Sequence, residues 1–395
     1  MSETKSNVPK LRFPGFTDPW EQRKLGEVVV RVAVSCDDPE LPRVAYEDIR
    51  SDDGELNKRV DELSHKKSGI AFRCGDVLYG KLRPYLHNWL LPQFTGIALG
   101  DFWVLRPKGA DSEFLYRLVQ SDAFDKLANV SAGSKMPRAD WRLVGNAVFS
   151  IPPSAHEQRS IGALFRDVDD LITLRQRELE HTKLMKRGLL QKMFPKAGAD
   201  VPELRFPGFT DPWEQRKLGE FYRKGDEKNS NLEFGIEKTI SVSSMSWNPN
   251  GNGAAENSLS SYKILRKGDI AFEGNRTKGH PYGKLVINDI GAGIMSSRFR
   301  TLAAKEPMCI PFWKPFLTVD SVFRRIYINC TKRGTLMTEL VVPELLESTV
   351  PIPALSEQRL IGALFRDLDD LITLRQRELG HTKLMKKALL QQMFV

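Results

Sequence analysis

The sequence predicts an α+β protein built from two similar halves, and three observations lead to that prediction. The stretch LRFPGFTDPWEQRKLGE begins at Leu11 and begins again, without one substitution, at Leu204. A block of 38 residues that begins at Glu157 recurs from Glu357 with six differences. The long regions between these blocks diverge strongly, so one fold carrying two different surfaces is expected.

The composition is that of a globular protein with more than one domain. With 395 residues, of which 41% are hydrophobic and 28% charged, the chain is too long for one ordinary core. Lys and Arg exceed Asp and Glu by 59 to 50, and this net charge of +9 favours a polyanionic partner such as nucleic acid. The four cysteines lack metal-ligand or disulfide spacing, and no run is apolar enough for a membrane span, so a cytoplasmic location is predicted.

The two 38-residue blocks are predicted to be long helices. Neither block contains proline, and at 1.5 Å per residue each helix would span about 57 Å. A helix of that length with one apolar stripe must bury the stripe, and the near-identical copy is the obvious partner. Pro195 ends the first helix. The stripe consists of Phe165, Val168, Ile172, Leu179, Met185 and Leu189, and in the copy of Phe365, Leu368, Ile372, Leu379, Met385 and Leu389.

The divergent regions are predicted to be mixed α and β, and each is large enough to be a domain. The runs FWVLRP and RRIYINC are β-like, and SEFLYRLVQSDAFDKLANV is predicted to be a helix that begins near Ser112. A landmark survives in both regions, since CGDVLYG around Asp76 matches KGDIAFEG around Asp269, 193 residues later. The predicted order of domain, helix, domain and helix has its boundaries at 1–155, 156–196, 197–355 and 356–395.

Catalytic motifs are absent from the sequence. The stretch GHPYGKL from Gly279 is one residue short of a phosphate-binding loop and ends in Leu. The glycine-rich stretches at Gly251 and Gly291 lack the third glycine of a dinucleotide fingerprint. The repeat-equivalent His181 and His381 lie in a charged helical pattern, where a solvated position is the simpler interpretation. The chain is therefore predicted to catalyse no reaction and to bind no metal or cofactor.

Two basic loops in each half are candidates for nucleic-acid contact. Arg and Asn side chains can read guanine and adenine edges, while Lys and backbone amides hold phosphates. Any one of these loops is equally well a solvated basic loop, but their recurrence in both halves favours binding. The candidates are Lys81, Arg83, Tyr85, His87, Ser134, Lys135 and Arg138 in the first half, and Asn275, Arg276, Lys278, Tyr282, Lys284, Lys332 and Arg333 in the second.

The combined order of these motifs resembles the specificity subunits of type I restriction-modification enzymes. The resemblance rests on the paired openings, the paired EQRxIGALFRDxDDLITLRQRELxHTKLMK helices and the GSKMPR turn, and it covers essentially the whole chain. It implies that the two domains are target recognition domains, each reading one half of a bipartite, asymmetric site in double-stranded DNA. It also implies that the helices pack as an antiparallel coiled coil with pseudo-two-fold symmetry, set the spacing of the half-sites and dock other subunits.

The resemblance implies partners as well. Two methyltransferase subunits that use S-adenosylmethionine are expected on this scaffold, and translocase-nuclease subunits that use ATP and magnesium are expected to join them for restriction. The chain itself is expected to be non-catalytic, in agreement with the motif search. A free-standing, two-domain DNA-binding regulator is the alternative within the binding class, and a nuclease or methyltransferase of unfamiliar design is the alternative among enzymes.

Overall fold

The computed structural model describes residues 8–130, 135–251, 253, 256–334 and 337–394. The α-helices are α1 (Leu25–Val28), α2 (Ser112–Leu118), α3 (Asp122–Ala128), α4 (Trp141–Asn146), α5 (Ala155–Lys192), α6 (Leu218–Phe221), α7 (Ile310–Phe316), α8 (Asp320–Cys330), α9 (Val342–Glu347) and α10 (Leu355–Met393). Short 3-10 helices cover Tyr46–Asp48, Val60–Glu62, Pro84–Leu86, Ile236–Lys238 and Glu256–Ser261.

The strands fall into two sets of twelve among the residues described, one on each side of α5. The first set is β1 (Glu21–Lys24), β2 (Val29–Val32), β3 (Ser35–Cys36), β4 (Arg43–Val44), β5 (Ile49–Arg50), β6 (Glu55–Leu56), β7 (Gly69–Phe72), β8 (Val77–Gly80), β9 (Trp89–Leu90), β10 (Gly96–Ala98), β11 (Phe102–Pro107) and β12 (Val148–Ile151). The second set is β13 (Glu214–Lys217), β14 (Tyr222–Gly225), β15 (Ile240–Ser241), β16 (Ser246–Trp247), β17 (Lys263–Leu265), β18 (Ile270–Glu273), β19 (Lys284–Ile287), β20 (Gly293–Met295), β21 (Arg300–Ala304), β22 (Thr331–Arg333), β23 (Thr338–Leu340) and β24 (Thr349–Ile352).

The chain divides into two compact units that share the long helices. Unit 1 comprises Met1–Arg177 and Arg377–Val395, and unit 2 comprises Glu178–Gln376. The first half of α5 and the second half of α10 therefore belong to unit 1, and the remaining halves belong to unit 2. The boundaries predicted from the sequence kept each helix whole, whereas the contacts divide each helix near its middle. No helix in the described part of the chain is both long and apolar enough to span a bilayer.

The two units share the strand order of one four-stranded sheet, whereas not all of their other sheets correspond. Unit 1 contains a sheet with the strand order β2-β11-β8-β9, and unit 2 contains one with the order β14-β21-β18-β19. The registers correspond as well, because Arg31 pairs with Leu105 and Lys224 pairs with Leu302. The residues of β2 thus match those of β14 at an offset of 193, and the residues of β11 match those of β21 at an offset of 197. The two divergent regions therefore share one fold.

In each unit the duplicated stretch, which begins at Leu11 or Leu204, connects the domain to the start of a long helix. β1 pairs with β12, which directly precedes α5, and β13 pairs with β24, which directly precedes α10. Arg12 donates from Nε and Nη2 to the Glu157 carboxylate at 2.6 and 2.8 Å, and Arg205 donates likewise to Glu357 at 2.7 and 2.8 Å. Both glutamates are buried, so each pair is a charge-assisted contact whose loss would leave a charge without its partner.

The far end of each long helix completes an aromatic core. Ring centroids lie 5.5 to 6.3 Å from Phe394 in unit 1 and 5.7 to 6.1 Å from Phe194 in unit 2. A backbone hydrogen bond also holds the end of α10 in unit 1, since Leu11 N donates to Gln392 O at 3.0 Å. The aromatic partners are Trp20, Phe114 and Phe165 for Phe394, and Trp213, Phe312, Phe316 and Phe365 for Phe194.

One glycine in each long helix allows a domain helix to approach closely. A Cβ atom on Gly162 would lie 2.5 Å from the Cβ of Glu113 in α2, and one on Gly362 would lie 2.7 Å from the amide nitrogen of Phe312 in α7. Real Cβ atoms do not tolerate such distances without displacing the backbone. The shared glycine is therefore required by packing.

Within each unit the two helix segments run antiparallel. In unit 1 Asp169 accepts from Lys386 at 2.7 Å, and Arg175 lies 4.0 Å from Glu378. In unit 2 the equivalent ion pair has the lysine on α5 and the aspartate on α10, since Lys186 donates to Asp369 at 2.5 Å. Rising residue numbers on α5 thus meet falling numbers on α10, as the resemblance implied.

The apolar stripe predicted for the helices divides into four groups. Val168, Ile172, Leu179 and Leu368 are buried, and Leu189, Ile372, Leu379 and Leu389 are half-buried. Phe165 and Phe365 are completely buried within the aromatic cores rather than along a helix seam. Met185 and Met385 are 41% and 38% exposed, because the apolar spacing drifts around the helix by this point. Of the predicted docking residues, these two are the most accessible.

Two local predictions from the sequence are wrong. RRIYINC lies in α8, not in a strand, because Phe323, Ile326, Tyr327 and Cys330 are buried at helical spacing. SEFLYRLVQSDAFDKLANV forms α2 and α3 rather than one helix. Ser121 causes the break, since its Oγ donates to Leu118 O at 2.7 Å and accepts from Phe124 N at 3.3 Å as the cap of α3. FWVLRP is strand β11, as predicted.

Candidate nucleic-acid interface

In unit 1 the two candidate loops meet. Leu82 and Arg138 form a β-bridge, Arg83 N donates to Pro137 O at 2.8 Å, and Ala139 N donates to Lys81 O at 2.8 Å. Arg83 and Lys135 are exposed beside this bridge, and Tyr85 is 50% exposed. The predicted cations of the two loops therefore share one surface. Ser134 lies outside the described residues.

A carboxylate that the sequence analysis did not identify lies at the centre of this surface. Asp101 accepts from Arg138 Nη2 at 2.9 Å and lies 3.4 Å from Lys81 Nζ. Its carbonyl oxygen accepts from the Tyr46 hydroxyl at 2.7 Å, and that hydroxyl accepts from Leu82 N at 3.1 Å. Burial raises the pKa of Tyr46, so the phenol remains protonated and donates. A carboxylate in such a place can accept from a cytosine amino group or orient neighbouring cations.

His87 contacts two carboxylates and an aromatic ring. Its Nδ1 lies 2.5 Å from Asp52 Oδ1, its Nε2 lies 3.0 Å from Asp125 Oδ1, and its ring stacks on Trp89 at 4.8 Å. His87 has a left-handed backbone φ of +50°. It enters a cavity of about 400 Å³ whose carboxylates are Asp52, Asp53, Glu55, Asp122, Asp125 and Asp169. Lys383, Lys386 and Lys387 line the same cavity, so it carries both signs of charge, and a DNA contact by His87 stays a prediction.

In unit 2 the first candidate loop is the turn between β18 and β19. Asn275, Arg276 and Lys278 are exposed on it, and Asn275 N donates to Glu273 Oε1 at 3.1 Å. Lys284, at the end of the turn, donates from Nζ to Ser243 O at 2.8 Å. Tyr282 is half-buried and packs against the core of unit 2.

A groove of about 550 Å³ adjoins this turn and is cationic. Its charged lining includes Lys278, His280, Lys284, Lys314 and Arg324, with Asp320 as an acidic group. Burial first, and then the charge of Lys284, lower the pKa of His280. The groove therefore favours anions, whereas the His87 cavity of unit 1 is rich in carboxylates.

The second candidate loop of unit 2 is the hairpin of β22 and β23. Lys332 pairs with Glu339, Arg333 pairs with Thr338, and both cations are exposed. Thr338 N donates to Gly274 O at 2.9 Å, so the hairpin contacts the turn that follows β18. The two candidate loops thus meet in unit 2 as they do in unit 1.

Arg298 and Arg300 extend the surface of unit 2, and the sequence analysis did not identify them. Together with residues 337–340 and Phe272 they line a hollow of about 310 Å³. Arg298 stands where Asp101 stands in unit 1, because β11 and β21 correspond at an offset of 197. That offset is the signal that could have revealed the pair. Within the described ranges, no group of three or more His, Cys, Asp or Glu side chains is arranged to hold a metal ion.

Comparison with known proteins agrees with this geometry. No protein-family model matches the chain. A curated relative, the specificity subunit of the type I restriction enzyme MjaVIII from Methanocaldococcus jannaschii, is 21% identical over 295 residues, which are 71% of this chain and 68% of that protein. That similarity to a specificity subunit supports the prediction that this chain is a non-catalytic subunit.

Two solved structures share the fold. The S subunit of a type I restriction-modification system from M. genitalium has a TM-score of 0.59 and 13% identity, over 98% of this chain and 99% of that one. A chain from a study of complex assembly and conformational transition in the type I R-M system has a TM-score of 0.58 and 21% identity, over 96% of this chain and 98% of that one. The resemblance inferred from the duplicated blocks and the α+β fold with long helices are thereby confirmed.

Proposed function

We propose that this chain is the specificity subunit of a type I restriction-modification complex, and that each unit reads one half of a bipartite, asymmetric site in double-stranded DNA. The main support for the proposal is that two units share a fold and the contacts between the duplicated stretch and the long helix, yet present different candidate surfaces. A protein that reads two unlike half-sites with one fold needs this combination, because the fold sets the position and the surface residues set the sequence.

The surfaces differ at equivalent positions. Asp101 of unit 1 is replaced by Arg298 in unit 2, and a carboxylate and a guanidinium prefer opposite base edges, cytosine N4 and guanine O6/N7 respectively. The turn 274–283 of unit 2 also has no closely similar sequence in unit 1. Different half-sites are the expected consequence.

The test is the methylome of a genome that expresses this chain with its methyltransferase partner. Sequencing the methylated adenines should give one two-part motif with a fixed spacer. Exchange of residues 28–150 for another domain of the same fold keeps Arg12 and Glu157 in place, and it should change one half of the motif only. A change in both halves would contradict the proposal that each domain recognises its half-site independently.

The helices are proposed to set the spacer between the half-sites. The pairs Asp169–Lys386 and Asp369–Lys186 lie on opposite sides of the junctions where α5 and α10 pass from one unit to the other. Seven residues inserted into both helices at 177/178 and 376/377 leave the contacts of each unit intact and add about 10 Å at 1.5 Å per residue. The spacer should lengthen by about three base pairs, since ten base pairs occupy about 34 Å. An unchanged spacer would refute this role.

Docking of two methyltransferase subunits is supported by an exposed apolar patch that occurs twice. Its residues are Leu174, Leu184, Met185, Leu374, Leu384 and Met385, with exposures of 54%, 61%, 41%, 53%, 66% and 38%. Unit 1 contains Leu174, Leu384 and Met385, and unit 2 contains the three copies. Two equal apolar patches fit two copies of one partner, because exposed leucine and methionine of this extent favour protein contacts.

Single and double variants test the docking. Leu184→Glu should reduce the number of bound methyltransferase subunits from two to one, and Leu184→Glu with Leu384→Glu should abolish binding. Glu180→Ala is the matched control, since it is an exposed position of the same helix that differs between the copies. Mass measurement of the purified complex gives the stoichiometry, and two subunits bound to the double variant would contradict the assignment.

The proposal assigns no cofactor to this chain. S-adenosylmethionine belongs to the methyltransferase partners, and ATP and magnesium belong to the translocase-nuclease partners. The purified chain should therefore neither methylate nor cleave DNA with these compounds, and turnover would revive an enzymatic function. A regulator that acts alone would instead give a stable sequence-specific footprint without partners.

A further inference from the structure

Five cations gather on unit 2 outside the loops that the sequence analysis selected. This basic face consists of Lys224, Lys228, Lys263, Arg298 and Arg300. Strand pairing brings them together, because Lys228 forms a β-bridge with Lys263, Lys224 pairs with Leu302, and Arg300 lies two residues before Leu302 on β21. Lys263 Nζ donates to Phe299 O at 2.9 Å, which places it between Arg298 and Arg300 along the chain.

The basic face is poorly neutralised. Four of its members are exposed and Lys263 is half-buried, and none of the five forms an ion pair with a carboxylate among the residues described. Burial first, and then the charges of Arg300, Lys224 and Lys228, lower the pKa of Lys263, while Asp226 acts in the opposite direction. Cations crowded in this way repel one another, and an anion bound among them would relieve the repulsion.

The equivalent positions of unit 1 carry no such charge. The pairs correspond strand by strand: Ser35 pairs with Ile70 where Lys228 bridges Lys263. The full set of unit 1 equivalents is Arg31, Ser35, Ile70, Asp101 and Trp103. It contains one arginine, whose guanidinium lies 5.3 Å from the Trp141 ring centroid, and one aspartate. The face is thus a property of unit 2 and not of the shared fold.

The basic face is continuous with the candidate interface. Arg298 and Arg300 line the same hollow as Thr338, and Thr338 N donates to the carbonyl of Gly274 in the candidate turn. A polyanion seated on that turn therefore passes over the face. Lysines on flexible stems suit repeated phosphates rather than base edges, which require planar, bidentate groups.

We infer that the basic face binds the phosphate backbone of duplex DNA next to the half-site of unit 2, so that unit 2 supplies more of the salt-dependent affinity than unit 1. The inference rests on the proposed DNA-binding function and adds to it an unequal division of labour. Unit 2 anchors the duplex through charge, whereas the equivalent strands of unit 1 contribute little phosphate attraction.

A reciprocal exchange tests the inference in the complete complex with the methyltransferase. Lys228→Ser gives unit 2 the residue of unit 1, and Ser35→Lys gives unit 1 the residue of unit 2. Both positions are exposed, so folding should be retained, and equal thermal midpoints check this. The measured quantity is the slope of the logarithm of the binding constant against the logarithm of the salt concentration, for the cognate duplex and for an unrelated duplex.

Lys228→Ser should reduce the magnitude of this slope by about 0.9 and weaken binding by about tenfold at about 0.1 M salt, equally on both duplexes. The variant Lys228→Ser with Arg300→Ala should double this reduction in the slope. Ser35→Lys should increase the magnitude of the slope, by at most about 0.9. Unchanged slopes for both unit 2 variants would overturn the inference.

Three further outcomes are distinguishable. If the wild-type complex shows no preference for its cognate duplex, the proposed function itself fails. If the preference is present and the unit 2 variants bind like wild type, only the basic face is misassigned. If the variants lose affinity for single-stranded DNA or RNA but not for duplex, the ligand class is wrong.

Discussion

Asp169 in unit 1 and Asp369 in unit 2 stand at the same position of two nearly identical sequence blocks, yet their surroundings differ. Asp169 accepts from Arg117 at 2.6 Å and from Lys386 at 2.7 Å, so it joins α2, α5 and α10. Asp369 accepts from Lys186 alone among the ion pairs of the described chain. Pro315 stands in α7 where Arg117 stands in α2. The divergent domain therefore decides how firmly it is tied to a common helix.

Asp76 and Asp269 give the same lesson inside the sheets. Asp76 accepts from Arg106 at 2.7 and 2.9 Å. In unit 2 the position of Arg106 is held by Ala303, and among the described residues the Asp269 carboxylate accepts only from the backbone amides of Arg266 and Ala304. The fold keeps the aspartate for its backbone contacts, and the cation is an addition of unit 1.

The largest effect is expected where the two units agree. Phe194→Ala removes a buried ring from an aromatic core and should cost about 3–5 kcal/mol of unfolding free energy, and Phe394→Ala removes a half-buried ring and should cost less. Phe194 contacts four rings and Phe394 three, so the loss should be greater for Phe194. Denaturant unfolding of the two variants measures the difference. A negligible loss for either would show that the helix ends are not structural.

The next effect separates the units. Asp169→Asn takes the closer carboxylate from the buried Arg117 guanidinium, which keeps only Glu113 at 3.5 Å among the described ion pairs, and it should cost about 3 kcal/mol. Asp369→Asn breaks one pair whose aspartate is 43% exposed, and it should cost less than about 1 kcal/mol. Thermal midpoints of the two variants at neutral pH test the ranking, and equal losses would contradict it.

Two glycines of α5 should respond with opposite sign. Gly162→Ala forces α2 away from the helix and should destabilise the protein by about 1–3 kcal/mol. Gly188 has no atom within 4 Å of a Cβ built on it, and the other copy carries Ala388 there. Gly188→Ala should therefore stabilise by about 0.5–1 kcal/mol through helix propensity. Urea unfolding gives both values, and a loss at Gly188 would refute the packing argument.

The smallest effect depends on pH. Burial raises the pKa of Asp269 above its ordinary value of 3.8, so the folded protein keeps this proton at pH values where the unfolded chain has lost it. The unfolding free energy therefore falls as the pH rises through that interval. Ala303→Arg supplies the cation that Arg106 supplies in unit 1, and it should lower this pKa and stabilise by about 0.5 kcal/mol at pH 7.

Acidification should remove the gain from Ala303→Arg. Once the pH is low enough to protonate Asp269 in both proteins, the added arginine has no ionised partner. Thermal midpoints at several pH values follow the gain, with Ala303→Gln as the uncharged control. A gain that is independent of pH would assign the effect to packing rather than to charge.

The sequence was informative where a residue pattern is local or repeated. The duplicated blocks, strand β11 and the start of α2 at Ser112 follow from periodicity and capping, which act within a few residues. The break at Ser121 and helix α8 were missed because a serine can cap or remain solvated, and a β-branched run fits a helix when its buried face demands it.

The candidate site was less predictable than the fold. The bridge between Leu82 and Arg138 joins residues 56 positions apart, and nothing local specifies it. The placement of His87 depends on a left-handed backbone and on two distant carboxylates. Asp101 and Arg298 become comparable only when the strand registers are known, since the offset changes from 193 to 197 between neighbouring strands.

The position of Phe394 has a consequence for the order in which the protein is made. Its ring completes the core of unit 1, and Leu11 N donates to Gln392 O, so unit 1, which begins before unit 2 in the chain, also requires residues that are synthesised after the whole of unit 2. Unit 2 is complete once residue 376 has left the ribosome. Of the two units, unit 1 thus begins to be translated first and is completed last. Until Phe394 has been synthesised, the rings that it contacts stay uncovered on the nascent chain.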